Sequence, residues 1–231
     1  MRLGFIRFLK LFISSLFIQS SWSFFSMQAM GFLFSLSAGF DKSRRQEIIK
    51  NHKGFFNTHP YMASYIVGAT VRAYDRNEKP EEIKKYTTIA QQSFASAGDS
   101  LFWQTLRPGL LMLAVILGLK FGLVGPLIFL LVYNIIHIYH RAMGIIDGYA
   151  IGWDVIYLLK SKRFTLVQRI TEGFGALLTG IMPWLLTRNP ASLIFLPLAA
   201  LFMVIFIKRI PAVIVVIIVI LITVITVLAR L

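Results

Sequence analysis

The sequence predicts an all-α, polytopic integral membrane protein whose helices are broken or re-entrant in the N-terminal half. Three observations predict it. Of 231 residues, 57% are hydrophobic and 15% charged, with a mean hydropathy of +0.71, a balance unsuited to a surface facing water. The C-terminal half carries several apolar runs near the roughly 20 residues that cross a hydrocarbon core of about 30 Å. The N-terminal half interrupts its apolar stretches with polar residues and proline, most densely in FFNTHPYMASYIVG (55–68).

The first element is MRLGFIRFLKLFISSLFIQSSWS, whose basic start, short apolar run and small residues have the outline of a secretory signal peptide. Arg7 and Lys10 interrupt the apolar part and leave LFISSLFI too short for one. The alternative is an amphipathic interfacial helix over 1–20, with Arg2, Arg7 and Lys10 towards the headgroups. A membrane core over 21–186 and a short helical hairpin over 187–231 follow.

In the 55–68 run, Pro60 after Asn57, Thr58 and His59 predicts a helix break. At membrane depth such a break is tolerated only against protein or a wet cavity. AGDSLFWQTLRP (97–108) precedes and opens a helix over 101–119, with Asp99 at its N-cap. Arg107 costs at least about 2.5 kcal/mol in a spanning segment unless paired or solvated, and Pro108 frees a carbonyl. Asp99, Trp103, Gln104, Thr105 and Arg107 therefore read as one wall of a polar cavity at a kinked helix start.

Further helices are predicted over 121–139, 142–159, 166–186, 191–207 and 212–228. Gly144, Gly148 and Gly152 form a small-xxx-small ladder that lets another helix approach closely. Asp147 and Asp154, seven apart, share a helical face with His140; Glu172 is the remaining acid in an apolar segment. His137 and His140 could be read as a metal pair, but no third ligand accompanies them, and packing or interfacial hydrogen bonding is the better reading. Asn134 and His137 can also bridge neighbouring helices.

The formal charge of +14 would suggest nucleic acid in a soluble protein. Here the basic residues cluster between apolar segments, at 42–53, 72–85, 160–163 and 208–209, which is the pattern of cytoplasmic loops against anionic lipid. Taking the 160–163 loop as cytoplasmic makes the Lys208, Arg209 turn cytoplasmic and leaves Arg230 and the C-terminus outside. The absence of cysteine removes disulfide, iron–sulfur and thiol chemistry. The sequence has no P-loop, no nucleophile with a base and orienter, and no carboxylate pair arranged for acid–base work, so no cofactor, metal or catalytic residue is expected.

Four ordered blocks carry a family resemblance: FIQSSWSFFSMQAMGFLFSL (17–36), FFNTHPYMASYIVGA (55–69), GDSLFWQTLRP (98–108) and VGPLIFLLVYNIIHIYHRAMGIIDGYAIG (124–152). Together they make the chain resemble the IID subunit of the mannose/fructose/sorbose family of the phosphoenolpyruvate-dependent sugar phosphotransferase system (PTS). The family keeps its IQSSW block in the mature subunit, which argues against a cleaved signal. The resemblance implies a multi-pass subunit of the bacterial inner membrane that works only with a IIC membrane partner. Several such pairs form a hetero-oligomer that carries a hexose or amino sugar by an elevator-like displacement. The phosphoryl group would come from the IIA/IIB phosphocarrier proteins, so that the chain is a non-catalytic transport subunit.

Carried over position by position, Gln28, Asn57, His59, Asp99 and Trp103 are expected to line the sugar path or the IIC contact. Arg107, Asn134, His137, Gly144, Gly148 and Gly152 are expected in packing or partner contact, and Thr58 and Pro60 in shaping the break. Two departures stand out. SFASA (93–97) replaces a glycine-rich approach resembling Pro-Leu-Ala-Gly-Ile, and only TRNPASL (187–193) connects the helix at 166–186 to the C-terminal apolar region. They leave open a degenerate IID-like protein that regulates or scaffolds uptake without transport, or an unrelated polytopic channel or lipid-interacting protein.

Overall fold

The computed structural model describes residues 3–207, and within them the chain is helical, with two isolated β-bridges in place of strands. Helices α1 (Phe5–Ser15), α2 (Ala29–Ala38) and α3 (Lys42–His52) are short. Then come α4 (Ala63–Asp75), α5 (Pro80–Gly98), α6 (Arg107–Phe121), α7 (Val124–Ile151), α8 (Lys162–Thr187) and α9 (Phe195–Ile207). The helix predicted over 212–228, Arg2, the Lys208, Arg209 turn and the C-terminal end lie outside the described residues.

The helix boundaries follow local chemistry. Pro80 opens α5 with Glu81 and Glu82 in its first turn, where a missing N–H costs nothing and the helix dipole favours negative charge. Ser161 caps α8, its Oγ accepting from Phe164 N–H at 3.2 Å. Gly152, at φ +67°, ends α7 in a conformation that suits glycine.

Several sequence expectations change. No helix starts near 101, because α5 and α6 are joined by a π-helical stretch, Asp99–Leu106, into one helix of 42 residues, Pro80–Phe121. Asp99 is therefore inside a helix whose amides are already bonded, so it is not an N-cap. The lost proline donor is absorbed without a new helix start: Arg107 N–H bonds Phe102 O, five residues back.

The helices expected over 121–139 and 142–159 are one helix, α7, followed by a 3-10 stretch, Gly152–Lys160. His140 and Arg141, expected near a turn, continue the helix. Because Gly152 turns the chain, Asp154 is exposed and off the face carrying His140 and Asp147.

At about 1.5 Å per residue, the 42-residue helix is about 63 Å long, roughly twice a hydrocarbon core. Its first half is polar and its second apolar. Pro80–Phe121 and Val124–Lys160 are the two helices among the described residues long and apolar enough to cross a membrane.

The core is built around α4, whose side chains are nearly all buried. It crosses α7 where glycine faces glycine: a Cβ on Gly148 would lie 2.8 Å from Ala69 N and 3.1 Å from Gly68 Cα, and one on Gly68 would lie 2.9 Å from Tyr149 N. Gly144 meets α4 one turn earlier, where a Cβ would be 2.8 Å from Tyr65 N.

In helix α1 one basic residue departs from the expectation. Arg7 does not turn towards headgroups; it forms a two-pronged pair with Asp75 at 2.6 and 3.0 Å, and Tyr149 donates to the same carboxylate at 2.9 Å. A half-buried carboxylate offers a guanidinium more than water does when both prongs are satisfied. The pair ties α1 to α4 and α7, and leaves Phe5, Ile6, Leu9 and Ile13 exposed.

Candidate functional site

Residues 53–62 form no regular helix, so their backbone needs partners from elsewhere. Two buried glutamines supply them. Gln28 Nε2 donates to Thr58 O at 2.8 Å while its Oε1 accepts from Thr58 N–H at 3.1 Å. Gln91 Oε1 accepts from Asn57 N–H at 2.8 Å, and its backbone carbonyl accepts from Thr58 Oγ1 at 3.0 Å.

A short parallel pairing of Met27 with Phe56 continues the clamp, with Gln28 N–H donating to Phe56 O at 2.8 Å. Met27, at φ +52°, makes the turn that presents Gln28. The Asn-Thr-His-Pro segment is thus held extended between the end of the N-terminal block and α5.

This clamp aims His59 inward. The residue is 1% exposed, stacks on Phe102 at 5.0 Å, and meets Trp103 and Tyr61 edge-on at 4.9 and 5.1 Å. Gly98 makes the approach possible, since a Cβ there would lie 2.8 Å from His59 Nδ1 and nearer still to His59 Cβ and Cγ. Neither ring nitrogen of His59 has a hydrogen-bond partner among the described residues, which is costly for a buried polar group.

The cluster extends onto α7 through Tyr61. Tyr61 stacks on His137 at 4.6 Å, and His137 Nε2 pairs with Asn134 Oδ1 at 2.8 Å. Asn134 Nδ2 donates back to Leu130 O at 2.6 Å. The Arg141 guanidinium lies 5.3 Å from the Tyr61 ring centre and donates to Ser15 O, while His140 Nδ1 pairs with Tyr65 OH at 3.1 Å.

The predicted site residues therefore divide. His59, Trp103, His137 and Asn134 are brought into one aromatic and imidazole cluster where the break, the π-helical stretch and α7 meet. Trp103, 47% exposed, forms its open edge. Asp99 is half-buried, with no hydrogen bond to its carboxylate among the described residues, and Arg107 is exposed.

Gln28 stands behind the cluster with both ends of its amide occupied by Thr58. Asn57 is exposed on the other side of the clamp and lines a separate cavity of about 540 Å³. Gly144 and Gly148 lie in the α4 crossing, and Gly152 at the end of α7 beside the Arg72 side chain.

Gln91, Tyr61, Phe102 and Arg141 are the residues the sequence reading missed. Tyr61 sits directly after Pro60 and Phe102 inside the FWQ run, so adjacency to those motifs could have marked both. Gln91 lies in an ordinary amphipathic helix and carries no such signal.

Among the described residues no group of three His, Cys, Asp or Glu side chains could hold a metal. The two imidazoles of α7 have distinct partners, His140 with Tyr65 and His137 with Asn134. The cluster combines apolar aromatic faces with imidazole and amide groups that can donate and accept hydrogen bonds.

Residues 6–189 match the family described as the PTS system mannose/fructose/sorbose family IID component. The chain is similar to the mannose-specific EIID component of Escherichia coli K12, 30% identical over 177 residues, covering 72% of this chain and 62% of that protein. It is also similar to the fructose permease IID component of Bacillus subtilis 168, 30% identical over 189 residues, covering 78% of this chain and 68% of that one. The chain thus spans less than two thirds of the length of the mannose-specific relative.

In three dimensions the fold resembles a solved membrane protein at a TM-score of 0.71 and 22% identity, covering 97% of this chain and 96% of the other. It resembles a chain of the complex between the mannose transporter ManYZ and microcin E492 at a TM-score of 0.62 and 22% identity, covering 96% of each. The family match extends over most of the chain, and by it this protein belongs to the mannose/fructose/sorbose family of PTS IID components.

Proposed function

We propose that the chain is the multi-pass IID subunit of a bacterial inner-membrane sugar transporter. It acts with a IIC partner to carry a hexose or amino sugar that the IIA/IIB proteins phosphorylate. The observation that carries this reading is His59, buried, stacked on an aromatic ring and with two ring nitrogens that have no partner among the described residues, beside the open edge formed by Trp103. Such nitrogens call for a ligand or a partner group.

The segment around His59, held extended by Gln28 and Gln91, is the candidate re-entrant break. Membership of the IID family supports the division of labour, and the ManYZ transporter supports the same fold at work in a sugar-carrying assembly. Asn57, Asp99, Asn134 and His137 are proposed to border the sugar path or the IIC contact, with Gln28 acting by holding the break in place.

Co-expression of the chain with a cognate IIC and IIAB tests the proposal, by uptake and phosphorylation of mannose, fructose, sorbose and amino sugars. Uptake is expected to fall to background when this chain is omitted and to fall strongly with His59→Ala. Unchanged uptake without the chain overturns the proposal.

A further inference from the structure

The cavity on which Asn57 opens lies between the end of α3, residues 53–57 and α5, and its volume of about 540 Å³ is in the usual range for small-ligand sites. It is lined by Lys50, Lys53 and Lys84, and no acidic side chain lines it among the described residues. All three lysines are exposed, and none has a carboxylate within ion-pair distance among the described residues.

Three ammonium groups around one concavity repel each other unless an anion joins them. His52 also lines the cavity and is only 8% exposed, held edge-on against Phe32 and Tyr74, with its Nε2 closed off from solvent and without a hydrogen-bond partner among the described residues. The donors and positive charge that the pocket offers are therefore those of its rim, with the Asn57 carboxamide alongside.

We propose that this pocket binds a phosphate-bearing ligand, with Lys50, Lys53 and Lys84 around the phosphate and Asn57 on the group that carries it. Two sources have that chemistry: a phosphorylated sugar, and the headgroup of an anionic phospholipid. The sugar phosphate is the occupant that rests on the transport reading, because Asn57 belongs to the same extended segment as His59. It would give the phosphorylated sugar a resting place across the clamp from the aromatic cluster, on a segment that carries both Asn57 and His59.

The test uses the full chain, purified in neutral detergent and in nanodiscs with or without phosphatidylglycerol. Calorimetric titration compares mannose 6-phosphate, inorganic phosphate and mannose. A Lys50→Gln, Lys53→Gln, Lys84→Gln triple variant is measured beside the wild type. The lysines are exposed, so the triple variant keeps its helical content by circular dichroism.

Saturable binding of the sugar phosphate, weakened about tenfold or more in the triple variant as expected for lost charge-assisted hydrogen bonds, supports the site with the sugar as source. Displacement of mannose 6-phosphate by phosphatidylglycerol, or binding seen only with that lipid and lost in the variant, supports it with the lipid as source. No saturable binding of any phosphate compound, or equal binding by wild type and triple variant, overturns it. These measurements need no IIC partner, so their failure is distinct from failure of the uptake experiment.

Discussion

The imidazole of His59 fills the space that a side chain on Gly98 would need, with Nδ1 only 2.8 Å from the position of a Cβ there. Two motifs far apart in sequence, Asn-Thr-His-Pro and Gly-Asp-Ser, are thus one packing unit. Replacing Gly98 by alanine forces His59 or α5 to move, an overpacking cost of about 1–3 kcal/mol. Gly98→Ala is expected to lower the thermal midpoint of the purified protein and reduce uptake in the assembled system. Combining it with His59→Gly, which also removes the His59 Cβ that stands against the new methyl, should recover the midpoint lost to the clash while uptake stays low. Additive losses in the double variant would break the proposed unit.

The clamp on Thr58 makes a separate prediction. Gln28→Ala leaves a buried N–H and a buried carbonyl without partners, at about 1–3 kcal/mol for each group. Gln28→Glu keeps the acceptor for Thr58 N–H but loses the donor to Thr58 O. Thermal unfolding should rank wild type above both variants, with Gln91→Ala also destabilising through loss of the Asn57 N–H contact. A Gln28→Ala protein as stable as the wild type would show that the amide is not a backbone partner.

How much of this was legible in the sequence depends on the range of the interaction. The all-helical class, the break at Pro60 and the apolar length of the later helices are local properties, read from composition and spacing. The continuity of Pro80–Phe121 was not legible, because Pro108 and Gly98 look like helix punctuation and only a π-helical stretch reconciles them with one axis. The fusion of two expected helices into α7 was hidden by His140 and Arg141, which read as turn residues until Tyr65 and Ser15 O appear as their partners. Arg7 was misassigned for the same reason: its partner Asp75 is 68 residues away.

The α4–α7 crossing predicts unequal costs for glycines in similar sequence contexts. Gly148→Val places a branched Cβ 2.8 Å from Ala69 N and 3.1 Å from Gly68 Cα, so the helices must separate and the midpoint should drop sharply. Gly118 in α6 has nothing within 4 Å of its would-be Cβ, and Gly118→Ala should be neutral or stabilising by up to about 1 kcal/mol through helix propensity. Equal effects of the two substitutions would contradict the crossing.

His52 predicts the direction of pH sensitivity. Burial, with the charge of Lys84 second, holds its imidazole down to about 4 from an ordinary value of 6.5. The folded protein therefore keeps His52 neutral while the unfolded chain begins to protonate it near 6.5, so the unfolded state binds more protons in between. Its contribution is complete above about pH 6.5 and is lost as the pH falls towards 4, with a slope of up to about 1.4 kcal/mol per pH unit in that window. His52→Phe keeps the aromatic contacts with Phe32 and Tyr74 and removes the titrating group. Its midpoint should fall less than that of the wild type between pH 7 and pH 5, whereas parallel curves would place the acid sensitivity on other groups.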